Sequence, residues 1–314
     1  MSNNKISYIE KLSHGRTFLM GLAMISIMLF HQVWVKDLVM HGFRFCGNMG
    51  VDIFFFVSGF GIAFSLDKHT TKEFYKRRLL RLMPLCFFVG IIKYIWSWFD
   101  PDLSSHLGWR IIIGFDLWFI EVLIIFYIVS PLLYSLIQRW GGLKILLVAF
   151  VIGLVIGPTY QFGATVNWGA VRFPAYVLGM LVSMDKVRPH GSYLKWGVVF
   201  LFIAMGYRAL QVFGIVPVPE SYTYLILCLG IISLCYWLSS LQKPFAVCHL
   251  DKPVLWIGKH SLELYLWHEF IYDFIWGFQL NSSLSLLLAI SLSVVLAFVS
   301  YKVIDLVQLA LRAK

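Results

Sequence analysis

Long apolar runs, punctuated by charges, glycine and proline, follow one another along nearly the whole chain. A bilayer core about 30 Å thick is crossed by about 20 mostly apolar residues in a helix, so each run predicts a transmembrane helix. The punctuation marks ten of them, at about 17 to 35, 50 to 66, 79 to 98, 117 to 138, 143 to 158, 170 to 184, 193 to 213, 222 to 241, 258 to 277 and 284 to 306. The fifth and sixth are short and interrupted by Gly and Pro. The expected fold class is all-α, a polytopic membrane bundle. Residues 1–314 form one transmembrane domain, with residues 1–16 as a cytoplasmic N-terminal segment and no separate soluble domain.

Composition agrees. The chain of 314 residues is 60% hydrophobic and 13% charged, and its mean hydropathy is +0.79. Soluble globular chains of this length do not have that balance. The net charge of +10 would prompt a nucleic-acid partner in a soluble protein. Here it has a simpler origin, because Lys and Arg are retained in loops on the cytoplasmic side of a membrane protein. With ten spans, 20 of the 26 Lys and Arg fall on the side of the termini and 5 on the other, with Lys93 inside the third span. Both termini are therefore expected in the cytoplasm, and no nucleic acid is implied. Lys5, Lys11 and Arg16 precede an apolar run too long for a signal-peptide core, so that run is expected to stay as the first span. The five cysteines form no C-x-x-C pair and read as free thiols, mostly buried, with no metal site.

Against this apolar background the ionisable residues stand out. An ionised side chain at a helix centre costs about 2.5 to 3.5 kcal/mol on insertion scales, so such groups are expected to face inward. His31, Asp52, Glu121, Arg172, His268 and Glu269 all fall near the outer ends of their spans, which predicts a polar vestibule opening outward. Each has a plainer reading alone: His31 and His268 as packing or hydrogen-bonding residues, Asp52 as a helix cap. At the opposite end Arg77, Arg78 and Arg81 begin the third span, with Pro84 just inside it. They are either topological anchors or guanidinium groups that grip phosphates in bidentate fashion.

Six segments together resemble the acyltransferase-3 family of integral-membrane acyltransferases. GLAMISIMLFH (Gly21 to His31) is similar to the family's first helix with its terminal His, and GVDIFFFVSGF (Gly50 to Phe60) to its Gly-Val-Asp-Phe-Phe-Ser-Gly-Phe signature. RRLLRLMP (Arg77 to Pro84) resembles the Arg-Arg-x-x-Arg-x-x-Pro element. LWFIEVLIIFYIVSPLL (Leu117 to Leu133), RFPAYVLGMLVS (Arg172 to Ser183) and IGKHSLELYLWHEF (Ile257 to Phe270) follow in the family's order. One position departs. The slot where members carry an Arg before the first-helix His holds Met20, and the nearest basic residue, Arg16, lies one turn earlier on the same face.

The resemblance implies O-acyl transfer from cytoplasmic acyl-CoA, with acetyl-CoA the expected donor, to a hydroxyl of an envelope glycan at a bacterial cytoplasmic membrane. Phosphates of the donor would meet Arg77, Arg78 and Arg81, with Arg16 as substitute for the missing arginine. His31 fits a general base, since imidazole titrates near 6.5. Asp52 would orient its ring, and Ser58, Arg172 or backbone N–H groups near Gly59 would meet charge on the thioester oxygen. Glu121 and His268 complete the expected acceptor side. No Ser or Cys stands out as a nucleophile, which favours direct transfer. The competing classes are a transporter or flippase for a glycan or lipid-linked substrate, and a scaffold. The acceptor and the oligomeric state, a homo-oligomer included, are open at this point.

Overall fold

A computed structural model describes residues 8–32, 47–99, 108–114, 117–159, 163–187, 191–215 and 219–312. Among them the chain is all helical. The helices are α1 Tyr8–His31, α2 Met49–Lys68, α3 Thr71–Ser97, α4 Trp118–Trp140, α5 Gly142–Ile156, α6 Ala164–Ser183, α7 Gly191–Val212, α8 Ser221–Ser240, α9 Gln242–Val247, α10 Asp251–Lys259, α11 Ser261–Trp276 and α12 Ser282–Arg312, with a 3-10 turn at Gly108–Ile113.

Each of the ten expected spans overlaps a helix, although the ninth crosses a break between α10 and α11 and the last residues of the first lie outside the described residues. Seven candidates, α1 to α4, α7, α8 continued through α9, and α12, are long and apolar enough to cross a membrane by length and composition, and α5 is apolar but shorter. The remaining two are of a different kind. Helix α6 has Asn167 and Arg172 within its apolar run, and α11 has 16 residues because a break at His260 separates it from α10. The short helices α9 and α10 occupy a stretch with no expected span.

Two helices start well before their apolar runs. Helix α1 is already helical at Tyr8, so residues 8 to 16 belong to the same helix as the first expected span. Helix α3 starts at Thr71, where Thr70 and Glu73 form a capping box: the Thr70 hydroxyl accepts from the Glu73 N–H at 3.3 Å, and the Glu73 carboxylate accepts from the Thr70 N–H at 3.1 Å. The three arginines consequently sit within the helix, where its geometry sorts them by face.

The outside is apolar. Leu147, Val151 and Leu154 on α5, Phe202 on α7, and Leu287, Val295 and Leu306 on α12 are all exposed. Such a surface is unfavourable in water and suited to acyl chains, which fits a multi-pass membrane protein. At the centre runs α2, whose residues Val51 to Val57 are all buried. It packs against α1, α3, α4, α6 and α8. Glycines permit the closest of these contacts: a Cβ added at Gly59 would fall 2.0 Å from the Tyr176 carbonyl oxygen, and one at Gly179 2.0 Å from that of Phe56. Gly59 is thus a close-packing site, and the resulting α2/α6 approach carries Asp52 to Arg172. Cys86, Cys228 and Cys235 are buried free thiols, and Cys248 is exposed; Cys46 and most of the Phe99 to Asp116 loop lie outside the described residues.

Candidate functional site

At the Arg16 end of the bundle, α1, α2, α3, α4 and α11 surround a cavity of about 80 Å³. By that measure it holds several waters, since one needs about 10 to 15 Å³. Arg16, Arg78 and Arg81 all line it, and no lining residue carries a carboxylate. Arg78 is held in place: it donates to the Gly61 carbonyl at 3.3 Å, and its guanidinium lies 5.8 Å from the Phe74 ring and 5.6 Å from that of Tyr127. Arg16 lies within electrostatic range of both Arg78 and Arg81, and Glu263 on α11 is within range of Arg81. Three cations around one small cavity repel one another, an arrangement that favours an anion between them. Arg77, expected in the same group, is exposed and is not part of the lining. At about 100° of rotation per residue, Arg77 points well away from Arg78 and Arg81 lies between the two, so the cavity is on the Arg78 side of that face.

Along α1, 15 residues from Arg16 to His31 span about 22 Å at 1.5 Å per residue. His31 is the last residue of α1 and is half-buried. Its Nδ1 lies 3.0 Å from the Ile27 carbonyl oxygen and 3.2 Å from Nε2 of His268. A carbonyl only accepts, so Nδ1 of His31 carries a proton, and in the neutral form of the ring Nε2 keeps its lone pair. Nε2 makes no hydrogen bond among the described residues. His268 is fully buried on α11, rather than lining an open vestibule. Asp273, one turn beyond Glu269 on α11, lies within electrostatic range of His31, Glu269 and Lys93.

The expected pairing of Asp52 with His31 is not formed. Asp52 is fully buried, and its carboxylate accepts no hydrogen bond among the described residues. Its charge partner is Arg172, Nε to Oδ1 at 3.8 Å. Arg172 is itself enclosed by the rings of Trp118, Trp168 and Tyr224, with its Cζ 4.0 Å from the Tyr224 centroid, and it donates to Asn48 at 3.2 Å. The ring orientation expected from Asp52 comes instead from the Ile27 carbonyl and His268. Glu121 accepts from Arg110 and from Thr165, which ties the 3-10 turn and the start of α6 to α4. The six outer ionisable groups therefore divide into a histidine pair with Glu269 nearby, an Asp52–Arg172 pair and a Glu121–Arg110 pair, rather than one shared vestibule. Ser58 lines the basic cavity.

One residue of the histidine neighbourhood escaped sequence reasoning. Lys93, noted inside the third span, is 3% exposed with Nζ 5.8 Å from the Phe270 ring, whereas Asp273, which follows Glu269 at i+4, was missed. That spacing, on a helix otherwise apolar at its outer end, was the readable signal. The cavity and the histidines are separated by aromatic rings. Phe119 and Tyr265 line the cavity with ring centroids 4.7 Å apart, and the Tyr265 ring is 5.4 Å from that of His268.

Residues 18–302 match a protein family described as an acyltransferase domain. The O-acetyltransferase OatA of Staphylococcus aureus is 26% identical over 95% of this chain and 57% of its own length. The acyltransferase MdmB of Streptomyces mycarofaciens is 27% identical over 56% of this chain and 55% of its own. The peptidoglycan O-acetyltransferase OatA of Listeria monocytogenes is 23% identical over 80% of this chain and 48% of its own. The chain spans about half the length of these relatives. No solved structure matches it.

Proposed function

The chain belongs to the acyltransferase-3 family, and from that premise we propose that it moves an acetyl group from cytoplasmic acetyl-CoA to a hydroxyl of a bacterial envelope glycan. One observation carries the reading. Two helices each join both halves of the site: α1 bears Arg16 about two turns in from its start and His31 at its end, while α11 bears the cavity residues Ser261 and Tyr265 and then His268. A donor held by its phosphates at Arg16, Arg78 and Arg81 would direct its thioester along these helices toward the histidines. The loop-charge split of 20 to 5 supports a cytoplasmic arginine end and cytoplasmic termini in the bacterial inner membrane.

In the reaction, His31 Nε2 takes the proton of the acceptor hydroxyl as its oxygen attacks the thioester carbon. The C–S bond then breaks, and the departing thiolate recovers that proton from the imidazolium. The products are the O-acetyl ester and free CoA thiol, with no net proton lost or gained. General acid-base participation of this kind contributes about 10² to 10⁴-fold. The Ser58 hydroxyl, on the cavity wall, is a donor for the thioester oxygen while it is in the passage. Asp52, Arg172 and Glu121 hold the surrounding helices in register.

Purified protein in lipid, given acetyl-CoA labelled in the acetyl group together with peptidoglycan fragments and other envelope glycans, is expected to produce alkali-labile label on a glycan. Glycan movement across the membrane without label would identify a transporter instead.

A further inference from the structure

We propose that His268 is a positioning residue that acts through His31: its neutral lone pair shares the His31 Nδ1 proton with the Ile27 carbonyl, and this second acceptor fixes Nε2 as the reacting nitrogen. The inference rests on His31 being the base. Its ground is the hydrogen bonding of the second ring. Nδ1 of His268 lies 2.8 Å from the Tyr265 carbonyl oxygen and 3.2 Å from that of Leu264. Both oxygens can only accept, so His268 Nδ1 bears a proton, and in the neutral ring Nε2 is left as an acceptor. That acceptor stands 3.2 Å from Nδ1 of His31, with ring centroids 5.0 Å apart. The other tautomer of His31 would set two lone pairs against each other.

Two consequences follow. The proton taken up at His31 Nε2 has no onward route through His268, because the far nitrogen of His268 already bears a proton directed at backbone carbonyls. The proton stays on His31 and is available for the leaving thiolate. Support for the imidazolium also comes from a neutral acceptor, which avoids placing a carboxylate in direct contact in the bundle interior, where a buried charge is costly. Of the charged groups nearby, Asp273 from α11 lies within electrostatic range of His31, Lys93 from α3 within range of His268 and Asp273, and Glu269 within range of Asp273. They are common to all the variants below.

The test is nitrogen NMR of ¹⁵N-histidine protein in lipid, with signals assigned by His31→Ala and His268→Leu, followed by rate measurements. His31 is expected as the Nδ1–H form, with a coupling between its Nδ1 and His268 Nε2 across the hydrogen bond, and His268→Leu is expected to add a population of the Nε2–H form. This arm needs no turnover, so it stands whatever reaction the protein catalyses. A dominant Nε2–H form of His31 in the wild type, or no change of its tautomer in His268→Leu, overturns the inference. In the rate arm, His268→Leu is expected to lower kcat about ten-fold or more, with the donor KM unchanged. It should also move the acid limb of the pH profile to lower pH, because an imidazolium with one acceptor fewer forms less readily. His268→Gln, which keeps an acceptor oxygen, is expected to recover part of the rate. A loss in kcat with an unmoved acid limb assigns His268 to structure alone. Full activity in His31→Ala would instead defeat the base assignment itself.

Discussion

Tyr265 lies on the wall of the basic cavity with its ring centroid 5.4 Å from that of His268, so one side chain borders both halves of the site. With Phe119 at 4.7 Å it stands between the cavity and the histidines, on the path that the proposed reaction requires of a thioester. Rotation of a ring is a small motion compared with helix movement, and such gating sets the rate of many enzymes. Tyr265→Trp, which enlarges that side chain, is expected to lower acyl transfer about ten-fold while the donor KM stays within about three-fold. A matching rise in KM would place the ring within the donor site rather than beyond it. Steady-state kinetics in lipid distinguishes the two.

The arginines differ in what they face, and their variants should differ accordingly. A charged hydrogen bond contributes about 1.5 to 3 kcal/mol, so Arg78→Ala and Arg81→Ala are each expected to raise the acetyl-CoA KM about ten-fold or more. Arg16→Ala should resemble them, because Arg16 shares their cavity. Arg77→Ala, on the exposed side of α3, is expected to change KM less than about three-fold. Equal effects at all four positions would argue for a shared topological role.

Gly61 is a second probe of the same cavity. A Cβ added there would fall 2.8 Å from Nη1 of Arg16, and the Gly61 carbonyl already accepts from Arg78. Gly61→Leu should therefore displace one guanidinium and fill the cavity. The expected outcome is weaker binding of a non-hydrolysable acetyl-CoA analogue with thermal stability close to wild type. Unchanged binding would mean that the donor's phosphates lie elsewhere.

The Asp52–Arg172 contact predicts a stability effect. Removing one member of a buried ion pair leaves an uncompensated charge and costs about 3 to 5 kcal/mol. Asp52→Asn and Arg172→Met are expected to lower the melting temperature in detergent, and Asp52→Leu combined with Arg172→Met should recover much of the loss. If Asp52→Asn abolished transfer at wild-type stability, Asp52 would act in the chemistry.

Apolar periodicity located every major helix, because a bilayer requires long uninterrupted apolar surface and the sequence must supply it. It located helix starts less well. Helix α3 begins at a capping box, Thr70 with Glu73, which is polar and invisible to a hydropathy pattern although readable as Thr-x-x-Glu. The placement of His31 against His268 instead of Asp52 was not readable at all. Sequence proximity suggests a partner across the first loop, whereas the ring actually meets a residue 237 positions away. Nor does depth in the membrane reveal azimuth: six groups near one depth fell into separate clusters because each faces a different neighbouring helix.

The central claim is that a proton passes through His31 Nε2 during transfer from acetyl-CoA. It is tested most directly by single-turnover acetyl transfer in proteoliposomes, with labelled acetyl-CoA on the arginine side and glycan on the other. Wild-type protein is expected to esterify the glycan, and His31→Ala to do so about 10²-fold more slowly or less, with donor binding retained. Equal single-turnover rates in the two proteins would contradict the account.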